Sequence, residues 1–294
     1  MPLTYVLITA ARNEEAFIEK TIQSVIAQTV LPKKWVIVSD GSTDRTDEIV
    51  QSYAKGREWI ELIRMPERKE RHFAGKAYAF NSGCERTKDS NYDVIGNLDA
   101  DISFGEDFFE YLLDKFKNMP ELGVAGTHYV EGNFHSFNDS YIDVHHVNGQ
   151  CQLFRRQCLE EVGGYLPVKD GGVDWIAVIT ARMKGWKTYS FDERTFTHHR
   201  AMGTANSNVF KAKFHYGKKD YFFGGHPLWQ VCRAIFQMTN KPYVIGGLLF
   251  LSGYIWAWLI GVERPVSKEL IEFYRHEQME RLKKLFSGGL KLGR

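Results

Sequence analysis

Cysteine is sparse in this chain of 294 residues, and the four present, Cys84, Cys151, Cys158 and Cys232, form no Cys-x-x-Cys pair. Their scatter argues against a zinc site or a disulfide framework and fits a reduced, cytosolic setting. Charge of one sign is also lacking. A net charge of +2 is far below the basic excess of an electrostatic nucleic-acid binder, so no nucleic-acid partner is expected. There is no repeat of fixed period. No basic segment with a small-residue cleavage site precedes the first strand pattern, so secretion is not expected. Long apolar runs are missing with one exception, Tyr243 to Val262, where no charge occurs. What is present is ordinary globular material, 44% hydrophobic and 25% charged, enough for one large α/β domain or two smaller ones.

The order of patterns is that of alternating strands and helices. Tyr5 to Ala10 is a β-branched, apolar run of the kind that forms a parallel strand covered on both faces. From Glu14 the period changes, with Phe17, Ile18, Ile22, Val25 and Ile26 on one helical face. Trp35 to Ser39 gives a second strand, and Asp40-Gly41-Ser42-Thr43-Asp44 is turn chemistry opening a helix with Ile49, Val50 and Tyr53. Ile60 to Ile63 is a third strand; a basic loop from Glu67 to His72 leads to Gly75-Lys76 and a helix through Cys84. Val94 to Asp99 is a fourth strand, and it delivers Asp99 and Asp101 at its carboxyl end, where open α/β sheets bind ligands. Two carboxylates so close repel one another unless a cation or strong donors lie between them. Further on come an amphipathic helix around Phe108 to Phe116, strands at Gly123 to Val130 and Gly149 to Arg155, and a helix marked by Ile176, Ile179, Thr180 and Met183 and closed by Gly185. A strand follows over Lys187 to Phe191. Such an alternation predicts right-handed crossovers and a mostly parallel sheet with an antiparallel edge. Asn138-Asp139-Ser140 matches a glycosylation sequon that carries no meaning in a cytosolic chain.

The ordered set Ala11-Arg12-Asn13-Glu14, Val38 to Asp44, Gly75-Lys76 with Asn81-Ser82-Gly83, Leu98-Asp99-Ala100-Asp101, and Arg155-Arg156 with Val162-Gly163-Gly164-Tyr165 resembles family 2 of the glycosyltransferases. The resemblance covers about residues 3 to 200. It implies a GT-A fold, a Rossmann-like mixed sheet flanked by helices, with a nucleotide-diphosphate sugar donor, a divalent cation (Mn²⁺ or Mg²⁺) and transfer with inversion at the anomeric carbon.

Residue chemistry stands beside that resemblance. Asp40, at the tip of the second strand, is a natural acceptor for a ring N–H of a base, although it can equally close the following turn. Lys76 beside a glycine can bring a point charge to a diphosphate, or simply open its helix in solvent. By the resemblance, Ala11, Arg12 and Asn13 bracket the base or ribose, while Glu14 serves as well to favour its helix N-terminus. Asp101 is the expected metal ligand, with Asp99 nearer the ribose or sharing the metal and Ala100 between them at the donor. Hard cations of this kind take carboxylate oxygens together with substrate phosphates. The family places an aspartate general base after a glutamate at the start of a helix that ends in glycine eleven residues on. Asp174 and Gly185 fit that spacing, but Val173 stands where the glutamate is expected; Asp170 is the reserve candidate, and Asp174 can also be no more than a helix cap. His198 and His199 lie where several such enzymes carry a metal-binding histidine. Adjacent strand residues point to opposite faces, so at most one of the pair is expected at the metal.

Residues 1–200 are therefore expected to form the catalytic domain and 201–294 a helical extension carrying the apolar segment 243–262. Lys211, Lys213, Lys218 and Lys219 alternate with aromatic residues, and the tail beyond Arg264 is basic and amphipathic. The apolar segment is long enough to cross a bilayer once, yet Gly246, Gly247, Gly253 and Gly261 break it and the flanking charges give no orientation. Peripheral or monotopic association with the inner face of the cell membrane is the expectation, against a core helix or a homo-oligomer contact. The expected reaction is transfer from a uridine-linked donor to a lipid-linked or polysaccharide acceptor of the cell envelope. The competing readings are a nucleotidyltransferase, which would want a glycine-rich loop after the first strand that Ala10-Ala11-Arg12-Asn13 does not supply, and a non-catalytic nucleotide-sugar binding or scaffold protein.

Overall fold

The structure, a computed structural model, describes residues 2–67, 73–132, 134–136, 144–200 and 209–287. The basic loop beyond Glu67, the sequon at Asn138 and most of the loop from Glu131 to Asp143 lie outside the described residues. The chain forms two compact units, Met1–Arg200 and Ala201–Arg294.

The first unit is built on one nine-stranded sheet. Its first half runs β1 (Tyr5–Ala11), α1 (Ile18–Ile26), β2 (Lys34–Ser39), α2 (Thr46–Ala54), β3 (Ile60–Arg64), α3 (Ala74–Thr87) and β4 (Val94–Leu98). The second half runs β5 (Ile102–Phe104), α4 (Phe108–Asn118), β6 (Leu122–Glu131), β7 (Phe134–His135), β8 (Cys151–Arg155), α5 (Arg156–Val162), α6 (Val173–Met183) and β9 (Lys187–His198). Strand order is β3-β2-β1-β4-β8-β6-β9-β5, with β7 paired to β6. β3, β2, β1 and β4 run parallel to one another, β8 is antiparallel to both β4 and β6, and β9 runs parallel to β6.

Strand alternation explains the two covered faces. Tyr5, Leu7, Trp35 and Ile37 share the core formed with Ile18, Ile22 and Val25 of α1, Val50 of α2 and the phenylalanines of α4. On the other face Ile8 meets α3, close enough that a Cβ on Gly83 would lie 2.4 Å from its side chain. Trp35 is buried, and its indole N–H donates to the Thr9 hydroxyl at 3.0 Å within the sheet, so its polar atom is not stranded.

The topology also fixes where a ligand can sit. From β1 the chain steps outward to β2 and β3, then returns across β1 to β4 on its other side. That reversal leaves a crevice at the carboxyl ends of β1 and β4, the topological switch point of an open α/β sheet.

The second unit contains α7 (Val209–Phe222), α8 (Pro227–Gln237), α9 (Ile245–Leu259) and α10 (Lys268–Phe286). Within the apolar segment 243–262 the helix proper is 15 residues, and Gly261, at φ 66°, lies just past its end. Among the described residues no helix is long and apolar enough to cross a membrane.

Candidate active site

The carboxyl ends of β1, β2 and β4 carry the residues that sequence patterns single out. Ala11 is buried at the last position of β1, and its carbonyl accepts the Asp40 N–H at 2.8 Å, tying the tips of β1 and β2 together. Arg12 reaches across that seam, with its guanidinium 3.8 Å from the Asp40 carboxylate. Asn13 adopts φ 55°, a left-handed turn that asparagine tolerates, and its side-chain oxygen accepts the Thr43 N–H at 2.8 Å. Asn13 thus fastens the turn after β1 to the turn after β2. Ala100 is buried within the hydrophobic core, so what it can present at the site is main chain.

Around the end of β4 the charges are grouped in two sets. In the first, the Lys76 ammonium donates to Asp99 at 2.5 Å and to the Gly149 carbonyl at 2.8 Å. The same carbonyl accepts the Asn97 side-chain amide at 2.8 Å, while the Gln150 carbonyl accepts the Asp99 N–H at 2.8 Å. Burial pushes the Asp99 carboxyl up to about 6, with Asp101 adding to the rise and Lys76 opposing it.

The second set surrounds Asp101. Its carboxylate lies 3.1 Å from Arg200 Nε and 3.5 Å from His198 Nε2, and the other ring nitrogen of His198 is 2.9 Å from Glu131. Burial would raise the Asp101 carboxyl, but His198 and Arg200 more than offset it and hold Asp101 below the usual carboxylate range. For His198 burial is opposed by Asp101 and Glu131, and the imidazole is shifted up. Arg200 also pairs with Glu14, whose carboxyl burial lifts to about 7 against the pull of that arginine.

His199 points elsewhere. Its Nε2 is 2.8 Å from the Ser103 hydroxyl and its ring stacks on Phe17, as adjacent positions on a strand require. The structure therefore brings His198, and not His199, to the Asp101 carboxylate.

Asp174 joins the first set through Gly149. It lies in the first turn of α6, half-buried, and packs so tightly on Gly149 that a Cβ there would fall 2.2 Å from its Oδ2. Only a glycine admits that approach. The Tyr165 phenol, buried and hydrogen-bonded to Gln152, faces the negative charge of both Asp174 and Asp99, and it is held well above its ordinary range, first by burial and then by that charge. Val173, where the resemblance would have a glutamate, is a buried core position at 3% exposure. Asp170 lies in the turn ahead of α6, and no hydrogen bond or ion pair places it in either set.

Three residues without an assigned role in the sequence patterns belong to this site. Arg200 follows the histidine pair, Glu131 ends β6 and Gly149 precedes β8; no short-range spacing links any of them to the motifs they complete.

The donor set fits a hard divalent cation in one respect: Asp101 carboxylate and His198 imidazole lie side by side, next to the half-buried Asp99. Among the described residues no three acidic, histidine or cysteine side chains form a group that could hold a metal by themselves. Such a set matches a cation bound by one or two protein ligands with substrate phosphates completing its shell.

Residues 6–140 match the sequence model of glycosyl transferase family 2. This stretch belongs to that family. The chain is 33% identical over 123 residues to the poly-β-1,6-N-acetyl-D-glucosamine synthase of Staphylococcus aureus, covering 42% of this chain and 27% of that protein. The enzyme of the same name from Staphylococcus epidermidis is 26% identical over 199 residues, with 57% of this chain and 44% of that protein covered. This chain thus spans less than half the length of these relatives. Among solved structures, the mannosyltransferase PcManGT of Pyrobaculum calidifontis, in complex with GDP-Man and Mn²⁺, superposes with a TM-score of 0.57 at 16% identity over 98% of this chain and 83% of that one. TarS residues 1–349 of S. aureus, in complex with UDP-GlcNAc, gives 0.56 at 11% identity over 98% and 84%. The fold is accordingly the GT-A fold, a mixed, mostly parallel sheet flanked by helices.

Proposed function

We propose that this chain is an inverting, metal-dependent glycosyltransferase that moves a sugar from a uridine diphosphate donor to a lipid-linked or polysaccharide acceptor at the cytoplasmic membrane face. The observation that carries the reading is Gly149, which accepts Lys76 through its carbonyl and lets Asp174 close on its Cα. On this reading a phosphate-binding cation, Lys76, and a carboxylate base, Asp174, bear on one and the same residue beside the switch point of the sheet.

In this reading the Arg12–Asp40 pair receives the base, with Asp40 accepting a ring N–H, and Asn13 keeps the two turns in register. Lys76 turns from Asp99 toward the diphosphate, and Asp99, released, accepts from the ribose. Asp101 and His198 would hold Mn²⁺ or Mg²⁺, which when bound supplies positive charge to the departing diphosphate. Asp174 takes the proton of the acceptor hydroxyl as its oxygen forms the new bond to the anomeric carbon. The bond from that carbon to the diphosphate oxygen breaks with its electron pair leaving on the nucleotide, so a single displacement inverts the centre.

The names of the similar proteins support the donor class: two nucleotide sugars occupy the solved structures, and the curated relatives are synthases of an N-acetylglucosamine polymer. A thermal-shift series with UDP-GlcNAc, UDP-Glc and GDP-Man, with Mn²⁺ and with chelator, tests the assignment. A ligand at 100 times its Kd adds about 2.7 kcal/mol to the folded state, a rise that is easily read. Stabilisation by the uridine donors with Mn²⁺ is expected. Stabilisation by GDP-Man alone overturns the uridine assignment, and turnover left intact in Asp174→Asn overturns the base.

A further inference from the structure

The second unit presents an apolar surface that the packing among its described residues does not use. Helix α9 buries Gly246, Gly247, Phe250, Gly253, Tyr254 and Ala257. Along its opposite face Leu248, Ile255, Trp256 and Leu259 are exposed, Leu259 to 70%. The single hydroxyl on that face, Ser252, donates back to the Leu249 carbonyl at 2.8 Å and so needs nothing from water. Helix α8 contributes a stripe of the same kind, Leu228, Val231 and Ile235, at helical spacing and all exposed. A helix that is apolar all round is at rest only when both faces are covered.

Three observations say what covers it. First, α9 meets its neighbours backbone to backbone: a Cβ on Gly253 would lie 2.0 Å from the Phe214 carbonyl of α7, and one on Gly217 of α7 would lie 1.8 Å from the Phe250 carbonyl. Close approach through glycines is how helices associate where the surroundings are as apolar as their side chains. Second, from Ala201 to Val262 there are five lysines and one arginine against a single acidic residue, Asp220. That carboxylate is 16% exposed and paired with Arg233, so it shows no free negative charge to a partner. Lys218 stands at the edge of the apolar face with its ammonium 5.7 Å from the centre of the Trp256 ring. Third, 15 residues of helix span about 22 Å, short of the roughly 30 Å hydrocarbon core, so α9 cannot cross.

We infer that the outer faces of α8 and α9 seat in the headgroup region of an anionic lipid bilayer, lying in the plane of the interface rather than spanning it. Trp256 and Leu259 enter the acyl boundary while Lys218 meets lipid phosphates. A second copy of the chain is the poorer occupant, because a two-fold contact through these faces would bring two lysine-bearing edges together while the one acidic residue of this stretch, Asp220, is already paired with Arg233. This deepens the proposed function only in where the acceptor is met; the donor chemistry of residues 1–200 stands or falls separately.

The test is sedimentation of the full chain with phosphatidylcholine vesicles and with vesicles also containing phosphatidylglycerol, alongside UDP-GlcNAc binding in the same samples. Retention by the anionic vesicles is expected, weakened by added salt and accompanied by a blue shift of tryptophan emission. A Trp256→Ser, Leu259→Ser variant, altered only at exposed positions, should bind at least about tenfold more weakly with donor binding unchanged. Lys218→Glu should lower the preference for anionic over neutral vesicles. Absence of vesicle binding, binding unchanged in the double variant, or a dimer in solution that buries α9 each overturns the inference. Loss of donor binding with vesicle binding kept would instead count against the proposed donor chemistry.

Discussion

Replacing Gly149 by alanine should separate catalysis from donor binding. The added Cβ would lie 2.2 Å from Asp174 Oδ2 and 2.7 Å from the aspartate Cβ, so the clash reaches the root of the side chain as well as its tip. Ordinary carbon contacts sit near 3.5 Å, which requires the carboxylate to withdraw by roughly 1.3 Å. A misplacement of that size costs about a hundredfold in rate, or about 2.7 kcal/mol of barrier. The Gly149 carbonyl is untouched and still accepts Lys76 and Asn97, so the Kd for UDP, by calorimetric titration with Mn²⁺, should stay within a factor of about three. Overpacking will cost about 1–3 kcal/mol of stability, and a urea titration shows that the variant is folded under assay conditions. Gly149→Ala turning over at the native rate, or losing donor affinity as steeply as rate, would falsify the placement of Asp174 as base.

Three further outcomes are expected. Asp101→Ala should lower transfer by about a hundredfold or more and abolish its stimulation by Mn²⁺, and a variant still stimulated by the metal contradicts the ligand assignment. Glu14 is lifted from 4.5 to about 7 by burial, so the folded state holds its proton more tightly than the unfolded chain does. Its contribution to stability is complete below about pH 4.5 and fades as pH rises through about 7. Glu14→Gln should flatten the fall in melting temperature of the ligand-free protein over about pH 5 to 8; coincident slopes would rule out this titration. Thr9→Val keeps shape but strands the Trp35 indole N–H at a fully buried position, for a loss of about 1–3 kcal/mol in urea unfolding with turnover per folded molecule unchanged.

Much of the first unit was legible because its strands are buried on both faces and alternate with helices of clear period. Tyr5 to Ala10 and Trp35 to Ser39 differ from β1 and β2 by one residue at an end. Shorter elements had no such signal: β5 and β7 are three and two residues long, and α5, with seven, is too short for a period to emerge. The strand expected to start at Gly149 starts two residues later in the structure, since Gly149 belongs to the site and β8 opens at Cys151. The acidic tip of β4 was readable from its position, but the partners that tune it were not. Glu131 reaches His198 across 67 residues because β6 and β9 run side by side, and Arg200 reaches Asp101 across 99 because β5 pairs with the end of β9 in the folded sheet. In the second unit the twenty-residue apolar run concealed a helix of 15 that Gly261 ends.

Gly149 has a consequence for how substitutions in this site will combine. Lys76 opens α3 and Asp174 opens α6, yet both bear on the same residue, one through its carbonyl and one through its Cα. Positions that share a partner in this way are energetically coupled, so the losses from Lys76→Ala and Asp174→Asn will not add in a double-mutant cycle.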